Sequence, residues 1–202
     1  ADGWVSRPDK DYYQIMIKNQ ITDTVWIQPV LTAATKWNIS IKSGKGVRKD
    51  QIAFVISDKQ LVQFLHDELE LHKKNEYFSE KIFQFLPENF HRYFWRGLFD
   101  ADGGVYLINR SSYTPNLVCD ISSNINFDWS VLETYINKID NIKYCIRREI
   151  CNKKLGYKRS IIKMTDHHAA RFLYHIYDGI NKDKIGFTRK YIKYITYLEK
   201  RA

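Results

Sequence analysis

The triplet Ala1-Asp2-Gly3 returns as Ala101-Asp102-Gly103, 100 residues further along a chain of 202. Two more anchors repeat in the same order. Ile56-Ser57-Asp58 is followed by Phe64-Leu65 as Met164-Thr165-Asp166 is followed by Phe172-Leu173, and Lys81-Ile82 matches Lys184-Ile185. The triplet Asp precedes the later Asp by 56 residues in one half and by 64 in the other. Loop differences of that size cost little free energy. Ordered repetition of this kind restricts the chain to two copies of one unit of about 100 residues.

Each copy carries the same coarse pattern. After the triplet come two strand-like stretches, Gly3–Ser6 and Tyr12–Lys18 in the first copy, Gly103–Asn109 and Asn116–Ser122 in the second. A helical stretch follows, marked by Val25, Val30, Leu31 and Ala34, or by Val131, Leu132, Tyr135, Ile136 and Ile139 at i, i+3, i+4 spacing. Asn126 or Asp128 is placed to cap the second of these. A hairpin comes next: Asn38–Lys42 and Gln51–Ile56, or Lys143–Cys151 and Tyr157–Met164. A last helix begins at Asp58 or Asp166, both good caps. The fold class is therefore α+β, two pseudo-symmetric ββαββα units, with repeats at 1–85 and 86–202.

Composition narrows the partners. Lys and Arg number 32 against 23 Asp and Glu, a net charge of +9, which points to a polyanion such as nucleic acid or an anionic membrane surface. No apolar run approaches the roughly 18 residues of a bilayer span, which excludes an integral helical membrane protein. Cys119, Cys145 and Cys151 are odd in number and form no CxxC pair, which argues against a disulfide framework or a zinc knuckle. His167, His168 and His175 have no carboxylate at ligand spacing. The five residue types Lys, Ile, Asn, Tyr and Phe supply 82 positions, against 32 for Ala, Gly, Pro and Arg. That bias fits an AT-rich genome: an organelle, a phage or a low-GC bacterium. No signal-peptide pattern opens the chain, and a start without Met is expected of the remainder of a longer product.

The segment Pro87–Gly103, PENFHRYFWRGLFDADG, is the most informative. Pro87 and Glu88 suit a helix start. Phe90, Phe94, Gly97 and Ala101 share one face, and the two small residues would let a second helix approach closely. Asp100 and Asp102 fall in the last turn, with Gly103 expected as a left-handed C-terminal residue. Carboxylates at the negative end of a helix dipole cost about 0.3–1 kcal/mol each, a penalty that a divalent cation reverses.

Trp95–Gly103 resembles the LAGLIDADG motif of homing endonucleases, identical at six of nine positions with Phe for Ile. Lys81-Ile82, Leu86-Pro87 and Phe94 resemble the approach to the second motif in single-chain, two-repeat members. The resemblance implies a DNA-binding saddle of two antiparallel sheets with the motif helices at the interface. It implies that Asp102 and Asp2, as the last Asp of each motif, hold Mg²⁺ or another divalent metal at the scissile phosphates. It gives Lys81 and Lys184 the role of the basic residue near each metal, and Gln20 and Asn124 that of water-orienting groups. The first motif lacks its helix in this sequence, so an upstream segment or a second polypeptide is expected to supply it.

The hairpins carry the remaining cations: Lys42, Lys45, Arg48 and Lys49 on one, and Arg147, Arg148, Lys153, Lys154, Lys158, Arg159 and Lys163 on the other. Side chains alternate along strands, so Arg147 and Arg148 face opposite ways, as do Lys158 and Arg159. A two-stranded ribbon fits the major groove, where Arg and Lys reach guanine and phosphate. The expected function is a site-specific, metal-dependent endonuclease acting on double-stranded DNA. The alternative is an RNA-binding relative, an intron maturase or a ribosome-associated protein that does not cleave.

Overall fold

A computed structural model describes residues 2–5, 13–20, 39–42, 49–74, 76–108, 115–152, 157–179 and 188–201. The chain divides into two compact units, the first built on Ala1–Lys74 and the second on Asn75–Lys182 and Thr188–Ala202. Both hold a four-stranded antiparallel sheet.

In the first unit the strands are β1 (Asp2–Val5), β2 (Gln14–Gln20), β3 (Ile39–Lys42) and β4 (Gln51–Ser57), ordered β1-β2-β4-β3. Ala53, Phe54, Val55 and Ile56 are buried in succession, as expected of a strand covered on both faces. Helix α1 (Lys59–Gln63) follows and widens into a π turn over Phe64–Glu68. Asp58 caps it as expected, Oδ1 accepting the Leu61 N–H at 2.7 Å. The helical stretch marked by Val25, Val30, Leu31 and Ala34 lies outside the described residues.

The second unit opens with α2 (Glu80–Phe85) and α3 (Glu88–Asp102), then β5 (Gly103–Ile108), β6 (Asn116–Asn124), α4 (Ser130–Asn137), β7 (Cys145–Asn152), β8 (Tyr157–Thr165), α5 (Asp166–Tyr177) and α6 (Thr188–Glu199). Its sheet order, β5-β6-β8-β7, repeats that of the first unit. Here the ββαββα pattern is present in full. Helix α2 falls in this unit, ahead of the repeat boundary expected after residue 85. The reason is aromatic packing: Phe83 stacks on Trp95 at 5.1 Å, Phe78 meets Trp95 edge-on at 5.1 Å, and Tyr77 bridges to Asp128.

One apolar core organises this unit. Trp95 and Phe99 of α3, Leu132 and Ile136 of α4, Phe172 and Leu173 of α5, and Tyr194 and Tyr197 of α6 close over Val105, Cys119, Ile121, Ile162 and Met164 of the sheet. Cys119 is a buried free thiol, and burial pushes its pKa up. Among the described residues, no helix is long and apolar enough to cross a membrane.

Three local expectations need correction. Thr165, not Asp166, caps α5; Asp166 is the first helical residue at φ 52°, and its buried Oδ1 has no hydrogen-bond partner among the described residues. Strand β8 pairs through Thr165, so the chain must turn within one residue, and Asp tolerates the left-handed region better than most. Gly103 is extended (φ −77°, ψ 160°), because the chain passes straight from helix into β5. Phe94 turns to its own unit, edge-on to Phe83 at 5.0 Å and to Trp95 at 5.2 Å, rather than standing free on the Gly97 face. Gly97 itself is exposed, with open space where a Cβ would project.

His175 of α5 offers a check on this packing. Its Nε2 lies 2.9 Å from the Tyr135 hydroxyl, and burial together with the Arg92 charge lowers its pKa, against a raising influence of Asp178. The folded state thus disfavours the imidazolium. This contribution to stability is whole above the unfolded pKa of about 6.5 and is lost as pH falls through the lower folded value. Urea midpoints measured from about pH 7.5 down to pH 5.5 should fall less steeply for His175→Gln than for the wild type.

Candidate active site and nucleic-acid interface

Helix α3 carries the two aspartates of its last turn to opposite fates. Asp100 points inward and is 6% exposed; Tyr177 donates its hydroxyl to Oδ1 at 2.5 Å and Arg96 Nε stands 3.5 Å from Oδ2. Burial holds the Asp100 carboxyl above its usual range, opposed by the Tyr177 hydrogen bond and the Arg96 charge. Asp102, two residues on, is exposed in the last turn. Gly103 must be glycine for a steric reason: a Cβ there would stand 2.5 Å from Phe99 Cδ2 and 2.6 Å from the Phe99 carbonyl oxygen. The tight exit sends β5 away directly behind Asp102.

A lysine serves this helix end. Lys190 of α6 donates Nζ to the carbonyls of Phe99 at 2.7 Å and Asp100 at 2.6 Å, and Lys193 donates to the Val105 carbonyl at 3.0 Å. Unpaired carbonyls at a helix C-terminus favour such a cation. Sequence reasoning placed the basic residue at Lys184, which lies outside the described residues. Nothing in the sequence marks Lys190 among 21 lysines. Lys81 is exposed in the first turn of α2. That helix packs through Phe83 on His91, Phe94 and Trp95, so within this unit Lys81 belongs to the part of α3 remote from Asp102.

Strand register aligns the two repeats residue by residue. Gly3 pairs with Ile17 and Gly103 with Ile121, so each triplet enters its sheet in the same frame. Asp2 stands opposite Lys18, in a row continued by Ala53 and Lys42. Asp102, one residue before Gly103, heads the equivalent row of Ser122, Ile161 and Arg147. Gln20 and Asn124 lie two residues further along their strands, opposite Gln51 and Arg159. The Asn124 side chain is engaged locally, Oδ1 accepting the Asn126 N–H at 3.0 Å. Lys18 and Ser122 are thus the strand residues that share a row with the motif carboxylates.

The alternation sorts the cations. In the second unit Ile121, Ile162 and Met164 face the core, so Asp120, Ser122, Arg159, Lys163 and Arg147 share the opposite face. Arg148 and Lys158 fall on the core-side face, both exposed. Lys42 and Lys49 are exposed in the first unit; Lys45, Arg48, Lys153 and Lys154 lie outside the described residues. Glu149 Oε1 receives Arg159 through Nε at 2.8 Å and Nη2 at 2.5 Å, which fixes that guanidinium across the strands. Asp120 is half-buried; burial raises its pKa, while Lys163 and Arg159 pull it down. Among the described residues, no three metal-binding side chains cluster. The motif end offers one exposed carboxylate, a set that suits Mg²⁺, which keeps most of its waters and binds through one or two carboxylates plus substrate phosphate.

No protein-family model matches the sequence, and no curated protein matches it. Solved structures do. The LAGLIDADG meganuclease I-AabMI bound to uncleaved DNA superposes with a TM-score of 0.55 over 99% of this chain and 86% of that one, at 10% identity. I-DmoI in complex with DNA and Mn gives 0.52 over 89% of each chain at 15% identity. An I-DmoI variant with its target DNA and Mg gives 0.51 over 89% and 88%, at 13% identity. This chain has the LAGLIDADG endonuclease fold. The α+β class and the paired antiparallel sheets expected from the repeat are those of the LAGLIDADG proteins. Within that fold, Asp102 closes the helix that the motif defines, and Asp2 enters β1 in the same frame.

Proposed function

We propose that this chain is a site-specific endonuclease that hydrolyses both strands of a long DNA target with Mg²⁺ or another divalent metal. The repetition of the motif carboxylate in one sheet register, Asp2 before Gly3–Ile17 and Asp102 before Gly103–Ile121, carries this reading. The LAGLIDADG neighbours are bound to DNA, with Mg or Mn in two of them, and the RNA-binding alternative draws no support from them.

Asp2 and Asp102 would hold the metal, one in each repeat, 1–85 and 86–202. When bound, the metal lowers the pKa of an attacking water and neutralises charge on the phosphate oxygens. The chain's own groups do the rest. Lys42 and Arg147, each in the row of the motif carboxylate of its own repeat, supply a cation for the DNA backbone within its own unit. Lys18, opposite Asp2, is placed to orient a water or steady phosphate charge, and Ser122 offers a hydroxyl at the equivalent position. Lys190 offsets the negative end of α3, so Asp102 does not face uncompensated carbonyls. Lys81, Lys184, Gln20 and Asn124 remain candidates for accessory roles.

Cleavage of a plasmid library carrying randomised target cassettes, with Mg²⁺ and with chelator, tests the activity. Linear product only with metal is expected; no product from any cassette would refute the proposal. Affinity for a recovered site should fall with salt at a slope near −0.9 per phosphate contact. A filter-binding series that stays flat from low to moderate salt would remove the electrostatic basis of the reading.

A further inference from the structure

We infer that Asp120 and Lys163 together read a single cytosine–guanine pair in the major groove of the half-target served by the second unit. The inference rests on the endonuclease reading and adds the base to it. Asp120 lies on the polar sheet face, opposite Gly104 on one side and Lys163 on the other. Gly104 leaves room that Asp120 shares with the Tyr106 phenol: a Cβ at residue 104 would stand 2.6 Å from Asp120 Oδ1 and closer still to the Tyr106 hydroxyl. The carboxylate is half-buried, yet makes no hydrogen bond or ion pair among the described residues. Lys163, Arg159 and Lys190 act on it only through their charge. Partly exposed on the polar sheet face, the carboxylate is open to a donor from outside the protein.

The fold does not demand this pair. The same two positions in the first unit are Met16 and Val55, which pair with each other in β2 and β4. Val55 is buried and both residues are apolar, so the carboxylate–lysine pair belongs to the second unit and not to the repeat as such. In the major groove a cytosine offers its N4 amino group to a carboxylate, and the paired guanine offers O6 and N7 to a lysine. Cross-strand neighbours stand about 5 Å apart at their Cβ atoms, close enough for the two side chains to meet the two edges of one base pair. An adenine–thymine pair also carries an amino group. It would press the thymine methyl against a charged pair, which disfavours it.

The test is selection of bound sites from a randomised duplex library by the full chain in chelator, followed by sequencing. The wild type should enrich a C·G pair at one position. Asp120→Ala should flatten that position alone and weaken binding to the selected site roughly 5- to 150-fold. Asp120→Asn, nearly isosteric and so safe if the alanine variant misfolds, should move the preference toward adenine, which pairs bidentately with an amide. An unchanged preference in both variants, or a wild-type preference for A·T at the affected position, overturns the inference and leaves the endonuclease reading standing. So does a loss of Tb³⁺ luminescence in Asp120→Asn with base preference intact, which would make Asp120 a metal ligand. Failure of the wild type to enrich any sequence defeats the endonuclease reading itself.

Discussion

Asp102→Asn is expected to abolish Mg²⁺-dependent cleavage while leaving the fold and DNA binding in place. The side chain is exposed in the last turn of α3, so exchanging a carboxylate for an amide removes charge without opening a cavity. Several kcal/mol of charge stabilisation leave with the metal, and each 1.4 kcal/mol is tenfold, so the loss should be roughly a thousand-fold or more. Binding in chelator should be equal or tighter, because one negative charge near the phosphates is gone. Plasmid nicking at the wild-type rate by the variant would end the catalytic assignment. The neighbouring Asp100 supplies the contrast. It is buried against Tyr177 and Arg96, so its substitution should damage folding before chemistry.

That contrast was half legible in the sequence. The spacing of the two Asp residues placed both in the last turn of a helix, and the repeat gave the frame of both sheets. Asp58 as a cap and the register shared by Gly3 and Gly103 follow from local rules of turns and alternation. What escaped depends on packing that no local pattern encodes. Gly103 is required by Phe99 beneath it, not by a left-handed φ. Lys190 reaches Phe99 and Asp100 from about 90 residues away, and no local pattern separates it from other lysines. Gln20 and Asn124, the water-orienting groups that the resemblance implies, stand two positions beyond Lys18 and Ser122, which share the row of the motif carboxylate. Asp120 is a lone carboxylate between Cys119 and Ile121 in the sequence, and only the sheet sets it between Gly104 and Lys163.

The second large effect is expected at the polar trio between α3 and α5. Phe99 packs edge-on against Phe172 at 5.8 Å and Tyr177 at 6.4 Å, and beside this apolar contact Arg96, Asp100 and Tyr177 join. Arg96→Met removes the ion-pair partner and leaves the buried Asp100 carboxylate with the Tyr177 hydroxyl and the charge of Lys190. Breaking one side of a buried pair typically costs about 3–5 kcal/mol, a large share of the stability of a domain this size. Urea unfolding should show that loss as a lower midpoint with an unchanged slope. The triple variant Arg96→Met, Asp100→Leu, Tyr177→Phe removes every member at once and leaves no orphaned group, so most of the stability should return. Cleavage should not return with it. Directional bonds fix the rotation of α3 against α5, and that rotation aims Asp102; apolar replacements hold the helices together without fixing the angle. A triple variant that is stable and also cleaves at the wild-type rate would show that the trio contributes packing only.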